Sequence, residues 1–164
     1  MTIDKLSLFG LFLMLIPERY STLFDTQNRL PRRHLPLLTE ANREFWQSGK
    51  TGSLQIARCQ TCSTFIHPPS AACRNCHSRD VRAEKVSGKG SISTFTINRH
   101  PWENDLTTPF VIAIVTLAEQ PGLNLMTNIV NCPIDDVTIG MKVRVIFKNI
   151  EDVWLPLFEP DPIN

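Results

Sequence analysis

Two cysteine pairs, Cys59-Gln-Thr-Cys62 and Cys73-Arg-Asn-Cys76, stand ten residues apart in a chain of 164. Within a Cys-x-x-Cys unit both sulfurs reach one ion from a single tight turn, and two units close a tetrahedral thiolate cage. Ten intervening residues suffice for a β-hairpin that returns the second knuckle to the first. Zinc is the first choice of ion, because it accepts four soft thiolates and needs no redox partner. Iron in a rubredoxin-like site, with the same ligand set, stands second. Two disulfides, or four free thiols, are the competing readings of these cysteines. With no convincing export signal, the chain is expected in a reducing, cytoplasmic compartment where structural disulfides are rare. A catalytic zinc keeps a position open for water, and four thiolates leave none, so the cage reads as structural. His67 and His77 lie beside the knuckles, but the four cysteines already fill the shell, so both are read as surface or supporting residues. Arg58, Arg74 and Arg79 flank the site and offset the residual negative charge of a tetrathiolate zinc centre.

Size and charge narrow the remaining options. A chain of 164 residues holds one ordinary domain or two small ones. Its formal charge of +1 advertises no polyanion partner. Twelve prolines against seven glycines favour loops and strand edges over long helices. The apolar run Leu6–Ile16 spans eleven residues, too short for a membrane helix, which takes about twenty. It has the length of a signal peptide's hydrophobic stretch, but no net positive charge precedes it and no small-x-small cleavage site follows, so neither a signal peptide nor a membrane span is expected. Residues 1–33 therefore read as an extension that faces a partner or packs loosely, or as a misjudged start.

Residues 34–50 form the expected helical docking segment. Thr39 is positioned to cap its N-terminus, Glu40 suits the first turn, and Gly49 is expected to end it. Leu38, Ala41, Phe45 and Trp46 share one stripe. That stripe either packs on its own domain or docks another subunit, and the pattern does not separate the two. Residues 51–84 outline a ribbon: Leu54–Arg58 alternates into the first knuckle, Thr64–Ile66 leaves it, and Pro68-Pro69 stops the strand.

Residues 85–164 turn all-β. Strands are expected at 88–98, 110–117, 123–130, 142–148 and 153–158, with Pro156 marking an edge or strand end. Val143, Val145 and Phe147 alternate with Lys142, Arg144 and Lys148. Five strands in this length match the OB-fold. The expected fold class is mostly β, with an N-terminal helix, a rubredoxin-like zinc ribbon and a five-stranded OB-fold barrel.

No catalytic constellation emerges. Cys132 reads as an inert, half-buried thiol. His34 sits in a solvated basic stretch, His100-Pro-Trp102 in a loop, and Asp135-Asp136 in a turn. Ser87-Gly-Lys-Gly90 opens a strand and lacks the helix that a phosphate cradle needs. Single-stranded nucleic-acid binding is the competing function, since OB barrels and zinc ribbons both serve it. The balanced charge and the scarcity of aromatics on the barrel faces weigh against it. Lys142, Arg144 and Lys148 read as a solvated edge, with the phosphates of coenzyme A as the weaker option.

In order, the chain carries Leu35-Pro36, Phe45-Trp46 and Gly49, then Arg58 to Cys62, Pro68-Pro69 and Cys73 to Cys76. Ser87-Gly-Lys-Gly90 and Asp135 to Val143 follow. This ordered set, from about residue 35 onward, resembles the acyl-CoA-associated zinc-ribbon/OB-fold proteins, formerly a domain of unknown function, encoded beside thiolases. The resemblance implies a non-catalytic accessory or scaffold subunit of a thiolase, aldolase or acyltransferase complex acting on acyl-CoA in lipid or steroid side-chain metabolism. It implies a thiolase-like partner, in some cases a hot-dog-fold hydratase as well, and an indirect role toward acyl-CoA. It also makes Phe45 and Trp46 candidate interface anchors, as buried aromatics often dominate such contacts.

Overall fold

The computed structural model describes residues 35–101 and 108–162. The expected extension at 1–33, His34 and Trp102 lie outside that range. The chain opens with a short helix, α1 (Arg43–Gln47), which continues as a 3-10 turn over Ser48–Thr51. Strands β1 (Gln55–Cys59), β2 (Phe65–Ile66) and β3 (Val81–Lys85) form an antiparallel sheet in the order β2-β1-β3. Strands β4 (Lys89–Asn98), β5 (Phe110–Leu117), β6 (Asn124–Ile129), β7 (Lys142–Ile150) and β8 (Val153–Pro160) close a barrel in the order β4-β5-β6-β8-β7. A ribbon followed by a five-stranded OB-type barrel is the expected architecture. Among the described residues no helix is long and apolar enough to cross a membrane.

Alternation builds the barrel. Along β5, Val111, Ala113, Val115 and Leu117 point inward and are buried, while the residues between them are only partly covered. Val143 on β7 and Phe158 on β8 are fully buried opposite them. The same core takes in Phe45 from α1 and Leu54 and Ile56 from the root of the ribbon. Leu54 and Ile56 are each 1% exposed. A second, smaller cluster holds only Cys59, Ile66 and Cys73 as buried members. The ribbon thus has its root in the barrel core and its tip around the cysteines.

The barrel closes least tightly between β6 and β8, which run parallel and pair at one position, Ile129 with Phe158. Pro156 lies inside β8 rather than at its end. It pairs with Phe147 on one side, and its carbonyl accepts the Thr127 hydroxyl at 2.8 Å across the seam. An edge position suits a residue without an N–H.

The helix departs from expectation at both ends. Thr39 caps nothing with its side chain. Its carbonyl accepts the Asn42 and Arg43 N–H groups, so a turn precedes the helix. Asn42 organises that turn, accepting the Thr39 N–H at 2.8 Å and donating to the Leu37 carbonyl at 3.0 Å. Gly49 does not end the helix. A Cβ at Gly49 would lie 2.6 Å from Trp154 Cβ and 2.7 Å from the Phe147 ring, so glycine is required for close packing on β7 and β8. The turn ends instead at Gly52, in the left-handed region at φ 65°.

Candidate metal centre

The Sγ atoms of Cys59, Cys62, Cys73 and Cys76 lie within 4.8 Å of one another. Cys59 and Cys76 sulfurs are 3.5 Å apart, as are those of Cys62 and Cys73. A tetrahedral ion with bonds of about 2.3 Å sets sulfurs about 3.8 Å apart, so the donor set and its size fit zinc chemistry. A disulfide needs about 2.05 Å, and all four cysteines are free.

Both knuckles are built from one backbone pattern. In the first, the Ser63 N–H donates to the Cys59 carbonyl at 2.9 Å, and the Cys59 N–H donates to the Thr64 carbonyl at 2.9 Å. In the second, the His77 N–H donates to the Cys73 carbonyl at 3.0 Å, and the Cys73 N–H donates to the Ser78 carbonyl at 2.8 Å. Each turn is closed by a residue in the left-handed region, Ser63 at φ 62° and His77 at φ 58°. That conformation turns the chain back after the second cysteine of each pair.

The electrostatics call for a cation. Hydrogen bonds from the Thr64 hydroxyl, 3.2 Å from Cys62 Sγ, and from the Thr64 backbone lower the Cys62 thiol to about 5. The Cys62 backbone likewise lowers Cys59. Cys76 receives a lowering hydrogen bond from the Ser78 backbone, yet the neighbouring Cys62, Cys59 and Cys73 sulfurs and desolvation push it up to about 12. The lowered Cys59 and the raised Cys76 thus face each other with sulfurs 3.5 Å apart. A divalent ion removes that conflict by letting all four deprotonate.

The remaining candidates fall around the cage. His77 is exposed and outside the sulfur cluster. His67 is half-buried, its ring 4.9 Å from Phe45, and Nδ1 has no hydrogen-bond partner. Burial lowers its pKa. Arg58 pairs with Glu84 at 2.8 Å and lies 5.0 Å over the Phe65 ring, while Arg74 and Arg79 are exposed. Cys132 is half-buried, and burial first and Asp136 second raise its thiol, which keeps it protonated and a poor nucleophile. Arg144 is engaged by Glu159 at 2.7 Å.

Beside the ribbon, α1, His67–Pro69, β6 and β8 wall an open groove of about 640 Å³ over the β6–β8 seam. Phe45 and Trp46 meet edge-on with ring centroids 4.8 Å apart. Phe45 is 5% exposed and belongs to the chain's own core, whereas Trp46 keeps part of its surface open to the groove. Met126, 76% exposed, also lines it.

Sequence reasoning missed three contributors. Thr64 and Asn75 supply groups to the sulfurs, the Asn75 N–H lying 3.4 Å from Cys73 Sγ. Their positions two residues beyond a cysteine are the signal that could have found them. Gln120, in the β5–β6 turn, accepts the Phe65 N–H at 2.9 Å and donates to the Phe65 carbonyl at 3.3 Å. No local pattern announces a contact 55 residues away.

Comparison with known proteins agrees with this geometry. A family model described as the rubredoxin-like zinc ribbon domain of ChsH2 matches residues 46–82, and one described as the ChsH2 C-terminal OB-fold domain matches residues 83–148. A probable enoyl-CoA hydratase alpha subunit of Thermomonospora curvata is 32% identical over 129 residues, covering 78% of this chain. The chain spans only 40% of that relative's length. A DUF35 domain-containing scaffold protein of Methanocaldococcus jannaschii is 35% identical over 97 residues, 58% of this chain and 67% of that protein. Among solved structures, a chain of the Ltp2-ChsH2(DUF35) aldolase superposes with a TM-score of 0.69 at 31% identity, covering 77% of this chain and 98% of that one. Ribbon, barrel and relatives converge, and the chain belongs to the ChsH2/DUF35 family.

Proposed function

We propose that this chain is a zinc-stabilised, non-catalytic accessory subunit of a thiolase-superfamily enzyme that makes or breaks a carbon–carbon bond on an acyl-CoA. The observation that carries the reading is a four-sulfur cage with no open coordination position, in a chain whose fifth cysteine, Cys132, has its thiol pushed up by burial. Such a centre shapes a surface rather than a reaction. Relatives described as a scaffold protein, a hydratase subunit and an aldolase support an accessory role. Cys59, Cys62, Cys73 and Cys76 hold the ion, and zinc is favoured over iron because the cage needs no redox chemistry.

Docking falls to the groove face. Trp46 is the anchor with surface to offer, and Phe45 supports it from beneath. Leu37, Met126 and Ile139 are the large exposed apolar side chains among the described residues. None of these three is aromatic, and stacking of successive bases needs a row of exposed rings. Co-expression with a neighbouring thiolase-like enzyme, copurification, and assay of that enzyme with and without this chain test the proposal. A complex with raised or stabilised activity is the expected result. No complex and unchanged activity would remove the accessory role. Trp46→Ala should weaken assembly at least tenfold, in the range of interface hot spots, while the thermal midpoint of the free chain stays close to that of the parent.

A further inference from the structure

We propose that metal loading of the sulfur cage sets the shape of the groove, with β2 as the connecting element and Gln120 as its positioning residue. The inference rests on the metal-cage reading above and adds a coupling that the reading does not require.

The chain between cage and groove is short. Cys62 lies in the cluster, Phe65 and Ile66 form β2, and His67, Pro68 and Pro69 already line the groove. At the cage end, the Thr64 carbonyl receives the Cys59 N–H and its hydroxyl faces the Cys62 sulfur. At the groove end, the His67 ring rests on Phe45, which in turn meets Trp46 edge-on. A displacement of β2 therefore reaches the Trp46 environment through two ring contacts.

Few main-chain bonds hold β2. It pairs with β1 at two positions, Ala57 with Ile66 and Arg58 with Phe65, and among the described residues its outer edge has no strand neighbour. Gln120 fills that edge. Its primary amide offers a donor and an acceptor side by side, as a neighbouring strand residue does, and both main-chain groups of Phe65 bond to it. Thus a barrel side chain clamps the ribbon strand. Without a cation the two knuckles, whose sulfurs lie within 4.8 Å of one another, lose the bonds that tie one to the other. The element with the fewest bonds moves first, and that is β2.

The test uses the full chain labelled with 5-fluorotryptophan. Its three tryptophans, Trp46, Trp102 and Trp154, are assigned from single Trp→Phe variants by 19F NMR. Chelation should move the Trp46 resonance, leave Trp154 in place, and be reversed by added zinc. In zinc-loaded Gln120→Ala, checked at one metal per chain by elemental analysis, Trp46 should shift in the same direction as on chelation. Zinc release to a competing chelator should become about tenfold faster, the scale expected for two lost hydrogen bonds. Gln120→Glu keeps the acceptor and loses the donor, so it should fall between the two. A Trp46 resonance indifferent to both chelation and Gln120→Ala, in a chain that does bind metal, overturns the coupling and leaves the cage intact. Failure to bind any metal overturns both. If chelation unfolds the whole chain, the zinc-loaded Gln120→Ala measurement decides alone, because Gln120 lies in the β5–β6 turn and is not a member of the apolar core.

Discussion

The barrel and the ribbon tip solve the same folding problem in opposite ways. The barrel buries Ile92, Val111, Val115, Val143 and Phe158 to 1% exposure or less, and apolar area of that kind stabilises at about 25 cal/mol per Å². The tip has three buried residues, two of which are cysteines of the cage. Burial this small is a weak hold for a fold, and the proposed ion would serve as its staple. The dividing line does not follow the sequence boundary between ribbon and barrel. Leu54, Ile56 and Val86 belong to the barrel core, whereas Cys59, only three positions beyond Ile56, belongs to the tip. Dependence on metal therefore begins partway along β1. Two sequence-defined units share one strand, and the strand changes allegiance along its length.

Removing the metal breaks this comparison most severely. A structural tetrathiolate site contributes on the order of 10 kcal/mol to the fold it closes. Chelation, or Cys59→Ser with Cys73→Ser, should abolish amide-exchange protection in both knuckles. Protection in β4 to β8 should persist, as followed by mass spectrometry of peptic fragments. Loss of protection across all strands together would show that the tip is no separate unit. Phe158→Ala is the converse experiment and should cost about 3–5 kcal/mol, since it empties the junction where Phe158 pairs with Val145 and Ile129. Urea titration measures it, and one cooperative transition of β4 to β8 with the ribbon root is expected. Gly49→Ala comes next, at about 1–3 kcal/mol, because the new methyl meets Trp154 and the Phe147 ring. It should lower the thermal midpoint without changing metal stoichiometry.

Much of this division was legible in the residues. The cysteine spacing announced the cage, the apolar run at 110–117 announced β5, and alternation announced β7, and the expected and observed starts coincide at Phe110 and Lys142. The third ribbon strand went unread. Val81–Lys85 carries three charged residues in five, and its strand character comes from pairing with β1 along its whole length. Gly49 was read as a stop signal because glycine commonly ends helices, while its role here is close approach to side chains 98 and 105 residues away in sequence. Ser63 and His77 gave no sign of positive φ, since neither is glycine. Propensity reports what a residue does alone; these positions are decided by what lies opposite them. The split between Phe45, buried, and Trp46, half-open, was equally invisible, because adjacent residues on one stripe look alike until the barrel is placed beneath them.

The smallest effect sharpens where the ribbon's two regimes meet. His67 follows β2 directly and leans on Phe45, so it belongs to the barrel-anchored side although it lies between the knuckles in sequence. Burial lowers its pKa in the folded chain, while in the unfolded chain it keeps the ordinary value of about 6.5. The unfolded state therefore binds the proton first as pH falls. The stability from a neutral His67 is fully present above about 6.5 and is lost as pH drops toward the lowered folded value, with a slope of at most about 1.4 kcal/mol per pH unit. Protonation of the cysteines also weakens the cage in acid, so the parent curve alone does not isolate the histidine. His67→Phe removes one titration and retains the other. In metal-loaded protein, thermal midpoints taken between about pH 5.5 and 7.5 should fall less steeply for His67→Phe than for the parent. Parallel curves would mean that the ring is as easily protonated in the fold as outside it, and His67 would then belong with the solvent-facing tip rather than with the core that Phe45 helps to form.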